Sequence, residues 1–318
     1  MNFLAIAAVV FFGSQVYCQG PTSNPVQSQP TLCQNDEYYS DIKGQCLKAT
    51  LQIGDKEMVD SLGIDDLRAK YKIHEMTLFT NPAYKENGSI VKRRKYNGIS
   101  LKEIVKKLLP KGDSLKDYVL AFTCLDGYDP VLKPELLSEL ENADALLAFE
   151  QTGIKNPINE VSKDSKWELV KAPWGIVSPG PFYLVWKNSE KTYPDGWPFE
   201  IKSMRLIKAK DYQEMLAKIE PPKELMGQKP KTNVEEGYGQ ARGKCIVCHS
   251  FNGIGGKKSP TDLVSLFKIF KDKDESLQFI SDKVAHPPLG MSDIRDIKIS
   301  PEDLAHINDY VWNLANSQ

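Results

Sequence analysis

Five consecutive residues carry the most specific chemistry in the chain: Cys245-Ile246-Val247-Cys248-His249. Two cysteines separated by two residues, with histidine next, have the spacing of covalent haem attachment. Each thiol can add to one vinyl group of a porphyrin, and the adjacent imidazole then lies under the iron as an axial ligand. Two other chemistries use a CxxC pair. A thioredoxin-like redox pair needs a βαβ pattern around it, and the neighbouring sequence has none. A structural zinc site needs four ligands, and beyond the motif this part of the chain offers only His286 and His306. Haem c, bound through Cys245 and Cys248 with His249 on its iron, is the expected cofactor.

The sixth iron ligand is expected to be Met291, in the proline-stiffened run His286-Pro287-Pro288-Leu289-Gly290-Met291. A thioether opposite an imidazole stabilises ferrous iron and raises the potential, which suits an electron carrier. His286 in the same run and an open sixth position are the alternatives.

The elements around these residues read as helices. Residues 234–244 lead into Cys245, with Glu235 and Glu236 at the start and Arg242 and Lys244 near the end, as the helix dipole favours. After the motif, Gly253, Gly255 and Gly256 permit a tight backbone path. Residues 262–270 and 275–285 have helical patterning. Ser300-Pro301-Glu302-Asp303 opens a last helix, with Ser300 as N-cap and Pro301 at its first position. Its apolar stripe is Leu304, Ile307, Tyr310, Val311 and Leu314.

In their order along the chain, Gly237, the CxxCH motif, the glycine-rich loop, Pro260, Met291 and the aromatic last helix resemble a class I cytochrome c domain over residues 233–318. The resemblance implies an all-α fold in which Gly237 packs the first helix on the last. It also implies that the Pro260 carbonyl orients His249 by accepting from its free ring N–H. Ala241 departs from the family, which often has an aromatic there, so the helix crossing is expected to pack differently.

Upstream, residues 219–232 hold Pro221, Pro222, Pro230 and Gly227 among charges and read as a linker. Residues 49–218 alternate short strands with short helices, including strands at 71–79, 117–124, 145–150 and 197–207 and helices at 65–70, 101–109 and 134–140. That pattern gives an α+β or mainly β domain. Four phrases in this region, Arg94-Lys95-Tyr96-Asn97-Gly98-Ile99-Ser100-Leu101, Phe122-Thr123-Cys124-Leu125-Asp126-Gly127-Tyr128, Leu147-Ala148-Phe149-Glu150 and Gly180-Pro181-Phe182-Tyr183-Leu184-Val185-Trp186, resemble the molybdopterin-binding domain of the sulfite oxidase superfamily. The resemblance implies a metal-ligand role for Cys124, since catalytic members place a molybdenum-binding cysteine after a comparable strand. Against molybdopterin stand the absent Asn-Arg-Arg run after that cysteine and the presence of only His74 in the domain, which reads as a structural histidine.

The first 18 residues contain an apolar run too short to span a bilayer, then small and polar residues before Gln19. They read as a secretory signal peptide, with a lipid anchor on Cys18 as the alternative. Residues 19–48 are a Pro-, Ser- and Gln-rich lead-in. In an oxidising compartment Cys33 and Cys46 can form a disulfide or remain free thiols. Asn87-Gly88-Ser89 matches a glycosylation sequon that is common by chance. A net charge of −1 gives no reason to expect a nucleic-acid partner.

The expected fold is thus α+β, a sulfite-oxidase-like domain joined to a small all-α cytochrome c domain. The expected function is electron transfer by an exported, periplasmic or secreted, haem protein that meets redox partner proteins and has no membrane span. A molybdenum oxidoreductase that passes electrons from Cys124's metal to its own haem is the second reading. A haem peroxidase or gas sensor with an open iron position is the third.

Overall fold

The protein is described here from a computed structural model. The structure describes residues 37–40, 45–54, 59–79, 93–140, 145–153, 166–172, 175–187, 197–287 and 299–316. Met291, Cys33, Asn87 and the signal-peptide region with Cys18 lie outside these residues.

The chain is mixed α+β, and its apolar side chains collect into two cores, one spanning residues 49–206 and the other 216–315. The first begins with strands β1 (Glu37–Ser40), β2 (Gln45–Lys48), β3 (Thr50–Gly54) and β4 (Val59–Gly63), followed by helix α1 (Ile64–Lys70). Strands β1 and β2 form an antiparallel hairpin, so the stretch 19–48 contains more structure than a lead-in. Cys46, on β2, is disulfide-bonded, while its expected partner Cys33 falls outside the described residues.

Strand β5 (Ile73–Phe79) pairs with β6 (Arg93–Ser100), which runs directly into helix α2 (Leu101–Leu108). Gly98 lies inside β6 at a register shift against the next strand of the sheet, β9 (Ala145–Thr152). A Cβ on Gly98 would stand 2.3 Å from the Leu147 carbonyl oxygen, which is why a side chain is excluded there. Helix α2 buries Leu101, Ile104 and Val105, spaced to share one face. His74 on β5 is bound to Glu103 of α2 at 2.9 Å, a tie between strand and helix in keeping with a structural histidine.

Strand β7 (Tyr118–Cys124) is followed by β8 (Val131–Leu132) and helix α3 (Pro134–Glu139), then by β9. After β9 come the short hairpin β10 (Val170–Ala172) and β11 (Gly175–Val177), β12 (Tyr183–Trp186), β13 (Ile201–Lys208) and helix α4 (Ala209–Leu216). Two sheets result, one in the order β12-β9-β6-β5 and the other in the order β4-β3-β13-β7-β8. The pairing of β13 with β3 is parallel, and every other pair in these two sheets is antiparallel. Residues 145–149 of β9 are buried without alternation, as an inner strand covered on both faces requires.

The second core is helical. Helix α5 (Asn233–Lys244) is capped by Thr232, whose hydroxyl accepts from the Glu235 N–H at 3.1 Å and donates to the Leu225 carbonyl at 2.7 Å. A two-residue hairpin, β14 (Ser250–Phe251) and β15 (Ile254–Gly255), precedes α6 (Leu263–Phe267), α7 (Lys273–Ala285) and α8 (Pro301–Asn316). Ser300 caps α8, accepting from the Asp303 N–H at 3.0 Å. Asp262, expected inside a helix, is instead the N-cap of α6, and Asp272 caps α7, which begins at Lys273, two residues ahead of the expected start at Glu275.

The crossing of α5 and α8 rests on Gly237, where a Cβ would lie 1.8 Å from the His306 carbonyl oxygen. Around it, Tyr238 and Phe251 pack on Tyr310 with ring centroids 5.4 and 5.9 Å away, and Ala241 is buried beside them. The aromatic volume at this crossing therefore comes from Tyr238 and Tyr310 rather than from position 241. The Tyr310 hydroxyl donates to the Ile219 carbonyl at 2.7 Å, and Leu216 and Ile219 are themselves part of this core. The connection after α4 is thereby packed onto the helical unit. Between α7 and α8, the buried Ser276 hydroxyl donates to Asn308 Oδ1 at 2.8 Å, and the Asn308 amide donates to the Lys273 carbonyl.

Gly237→Ala would force backbone apart at the α5–α8 crossing. It is expected to destabilise the protein by about 3 kcal/mol or more, read from the denaturant midpoint of the transition that exposes Trp312. An unchanged midpoint would mean that the crossing tolerates a side chain.

Candidate functional site

Cys245 to His249 form a single turn that prolongs α5. The Cys245 N–H donates to the Ala241 carbonyl at 2.9 Å, and the N–H groups of Cys248 and His249 both donate to the Cys245 carbonyl, at 3.1 and 2.9 Å. Neither Cys245 nor Cys248 is in a disulfide, and each is half-buried. Burial, and to a lesser extent neighbouring Cys248, push the Cys245 thiol up to about 12, so it is neutral at physiological pH. Burial also lowers the pKa of His249, favouring the neutral imidazole that a metal ligand requires.

The glycine-rich hairpin folds back onto this turn. A Cβ on Gly256 would meet the Val247 carbonyl oxygen at 2.1 Å, and one on Gly255 would meet the His249 carbonyl oxygen at 2.5 Å. The Gly256 N–H donates to Ile246 O at 2.7 Å, and the Ser259 N–H donates to Cys248 O at 3.1 Å. Backbone thus touches backbone along the whole motif, and only glycine permits that approach.

His249 Nδ1 is buried and has no hydrogen-bond partner among the described residues. The expected bond to the Pro260 carbonyl is therefore not formed in this structure. Pro260 itself is exposed, while its neighbour Ser259 is spent on the Cys248 carbonyl. A buried polar nitrogen without a partner costs on the order of 1–3 kcal/mol, so the ring is placed to gain from one. Two thiols outside any disulfide and a neutral, unsatisfied imidazole on one turn fit a covalently attached haem. His286, the alternative sixth ligand, caps the end of α7 with a side chain 79% exposed and its Nδ1 3.3 Å from Asp282, a surface pair rather than an inward ligand.

Cys124, at the end of β7, faces a different environment. It is about 1% exposed and belongs to the first core. Burial pushes its thiol well above the ordinary value, and the carboxylates of Asp126, Asp129 and Glu200 push it further, with Lys202 opposing. A molybdopterin is an anion through its dithiolene and its phosphate, so a buried, protonated thiol among carboxylates does not fit it. Arg94, a guanidinium of the same domain, is taken up by Glu168 at 2.6 Å. Among the described residues, no group of three or more His, Cys, Asp or Glu side chains is arranged to hold a metal ion directly. No helix among them is long and apolar enough to cross a membrane.

The turn after Cys124 reaches the Cys245–His249 motif, a contact that no local pattern in the sequence marks. Asp129 donates its N–H to the Val247 carbonyl at 3.1 Å, and Lys257 donates its N–H to the Gly127 carbonyl at 2.9 Å. Lys258 pairs with Asp126 at 3.2 Å, with side chains only 15% and 23% exposed. Asp129 Oδ1 is buried without a partner, and burial raises its carboxyl to about 6 despite a hydrogen bond from Thr123 and the charges of Lys202 and Lys257. The legible signal was Asp126-Gly127 as turn chemistry; its partner across the molecule carried no local mark.

The raised carboxyl of Asp129 makes stability pH-dependent. Its folded value of about 6 lies above the ordinary 3.8, so the protonated form is favoured by folding. That contribution is full below pH 3.8 and is lost as pH rises toward 6. Asp129→Asn is expected to flatten the fall in denaturant midpoint across this window. Parallel wild-type and variant curves from pH 4 to 7 would count against the assignment.

No protein-family model matches this chain, and no characterised protein matches its sequence.

Proposed function

We propose that the protein is an exported electron carrier whose haem c is bound through Cys245 and Cys248, with His249 and Met291 as axial ligands. The observation that carries this reading is the turn itself: two cysteines outside any disulfide and an imidazole with a buried, unpartnered nitrogen, in the spacing that haem attachment demands. The bound haem would supply one-electron chemistry at its iron.

The remaining roles belong to the chain's own residues. Cys245 and Cys248 would anchor the porphyrin, so that the group survives outside the cell without dissociating. His249 would donate a neutral nitrogen, kept neutral by burial. Gly255 and Gly256 would hold the turn shut against solvent by direct backbone contact. The α5–α8 crossing at Gly237 would fix the helix end from which the motif departs. Disulfide-bonded Cys46 supports an oxidising compartment, in agreement with the apolar leader. Redox proteins in that compartment would be the partners.

Under the second reading, a molybdenum oxidoreductase, Cys124 would bind metal, and the carboxylates around its buried thiol weigh against that. Metal analysis of the full chain, matured through an export pathway that attaches haem, separates the two. One iron per chain, resistant to acid–acetone extraction, and no molybdenum is the expected result. Molybdenum near one atom per iron would favour the second reading, and iron that extracts freely or is lacking would overturn the first. Met291→Ala is expected to remove the weak far-red sulfur–iron band and to admit carbon monoxide to the ferrous protein. An unchanged spectrum would exclude Met291 as a ligand.

A further inference from the structure

The Asp126–Asp129 turn does more than close β7 onto β8. It is the part of the first unit that holds the attachment motif, through contacts of two kinds. The backbone contacts are reciprocal: Asp129 donates to Val247, between the two cysteines, and Gly127 accepts from Lys257, next to the glycine pair that covers Val247 from the other side. The Val247 carbonyl is thus held between the Asp129 N–H and the Gly256 backbone. The charged contact, Asp126 with Lys258, is largely removed from solvent.

The turn is shaped for this task. Asp126 Oδ1 accepts from the Tyr128 N–H at 3.0 Å, while Oδ2 faces Lys258, so one side chain both forms the turn and pairs across. Gly127 has φ +84°, and a Cβ there would lie 2.6 Å from both the Lys257 carbonyl carbon and the Lys258 nitrogen. Within its own hairpin, the Gly127 N–H donates to the Cys124 carbonyl at 3.1 Å and the Cys124 N–H donates to Tyr128 at 2.9 Å, which ties the turn to the rigid end of β7.

We propose that this turn is a clamp on the haem-attachment loop, with Asp126 and Gly127 acting as positioning residues that set the placement of Val247 and the electrostatics felt at His249. The clamp itself stands on the contacts above; its effect on the iron rests on the haem reading. The first unit is then a structural part of the redox site rather than a neighbour on a tether. Because Asp126 and Lys258 compensate one another beside the motif, removing either leaves the other's charge acting on the iron. Loss of the Asp126 carboxylate makes the field at the iron more positive, which disfavours the ferric state and raises the potential, and loss of the Lys258 ammonium lowers it.

The test uses the full chain in four forms besides wild type: Gly127→Ala, Asp126→Asn, Lys258→Gln and the double variant of the last two. Asp126→Asn keeps the amide oxygen that forms the turn, so it guards against a Gly127→Ala protein that does not fold. Backbone hydrogen exchange at Asp129 and Lys257 is expected to quicken at least about tenfold in Gly127→Ala and in Asp126→Asn, with the α8 amides unchanged. The haem potential is expected to rise in Asp126→Asn, fall in Lys258→Gln and return toward wild type in the double variant. A merely structural role would not give shifts of opposite sign. Native protection at Asp129 and Lys257 in both clamp variants would overturn the clamp while leaving the haem reading standing. Quickened exchange in a chain that takes up no covalent haem would support the clamp and overturn the electron-carrier reading. Potential shifts of the same sign in both single charge variants would overturn the positioning role.

Discussion

The structure depends on backbone approaching backbone more closely than any side chain permits. Along the haem-attachment motif this happens on both faces: Gly256 and Gly255 press against the carbonyls of Val247 and His249, and Gly127 presses against Lys257 and Lys258. The α5–α8 crossing solves the same problem at Gly237, which meets the His306 carbonyl. In each place the distance a Cβ would need is under 3 Å, so the position is closed to every residue but glycine unless the main chain moves. The helices, the hairpin β14–β15 and the turn after β7 are arranged around these contacts.

The helical unit was legible because its signals are local. Caps, a glycine for the crossing and an apolar stripe at helical spacing all lie within a few residues of what they specify. The errors are of one kind: Asp262 and Asp272 act as caps, and a side chain that accepts from the next turn's N–H groups looks in sequence like one more charge. In the first unit the strands could be read but not their partners. The parallel pairing of β13 with β3 joins segments far apart in the chain, and no local pattern marks it. The need for glycine at position 98 is equally unmarked, because what forbids a side chain there is a carbonyl on β9.

The site divides along the same line. The residues that the electron-carrier reading requires are adjacent in the chain, so Cys245, Cys248 and His249 stand together and are readable. The bond expected between His249 and Pro260 depended on loop geometry, and in the fold His249 Nδ1 stays buried without a partner. Asp129 was missed altogether. Its buried carboxyl and its hold on Val247 arise where the two cores meet, and acidic and basic residues are interleaved so evenly that no pairing of Asp126 with Lys258 stands out in the sequence.

The carboxylates that surround Cys124 connect these observations. Asp126 and Asp129 raise its thiol, which makes it a poor ligand for an anionic cofactor. The same two residues face Lys257 and Lys258 across the contact, where their charge is favourable. A negative patch at the end of β7 cannot serve both ends: the potential that would repel a pterin phosphate is the potential that holds a basic loop. Under the electron-carrier reading, the first unit's contribution to redox chemistry is made through that loop, by fixing where the motif sits and what charge it feels, and Cys124 remains a buried thiol beneath the turn that does so.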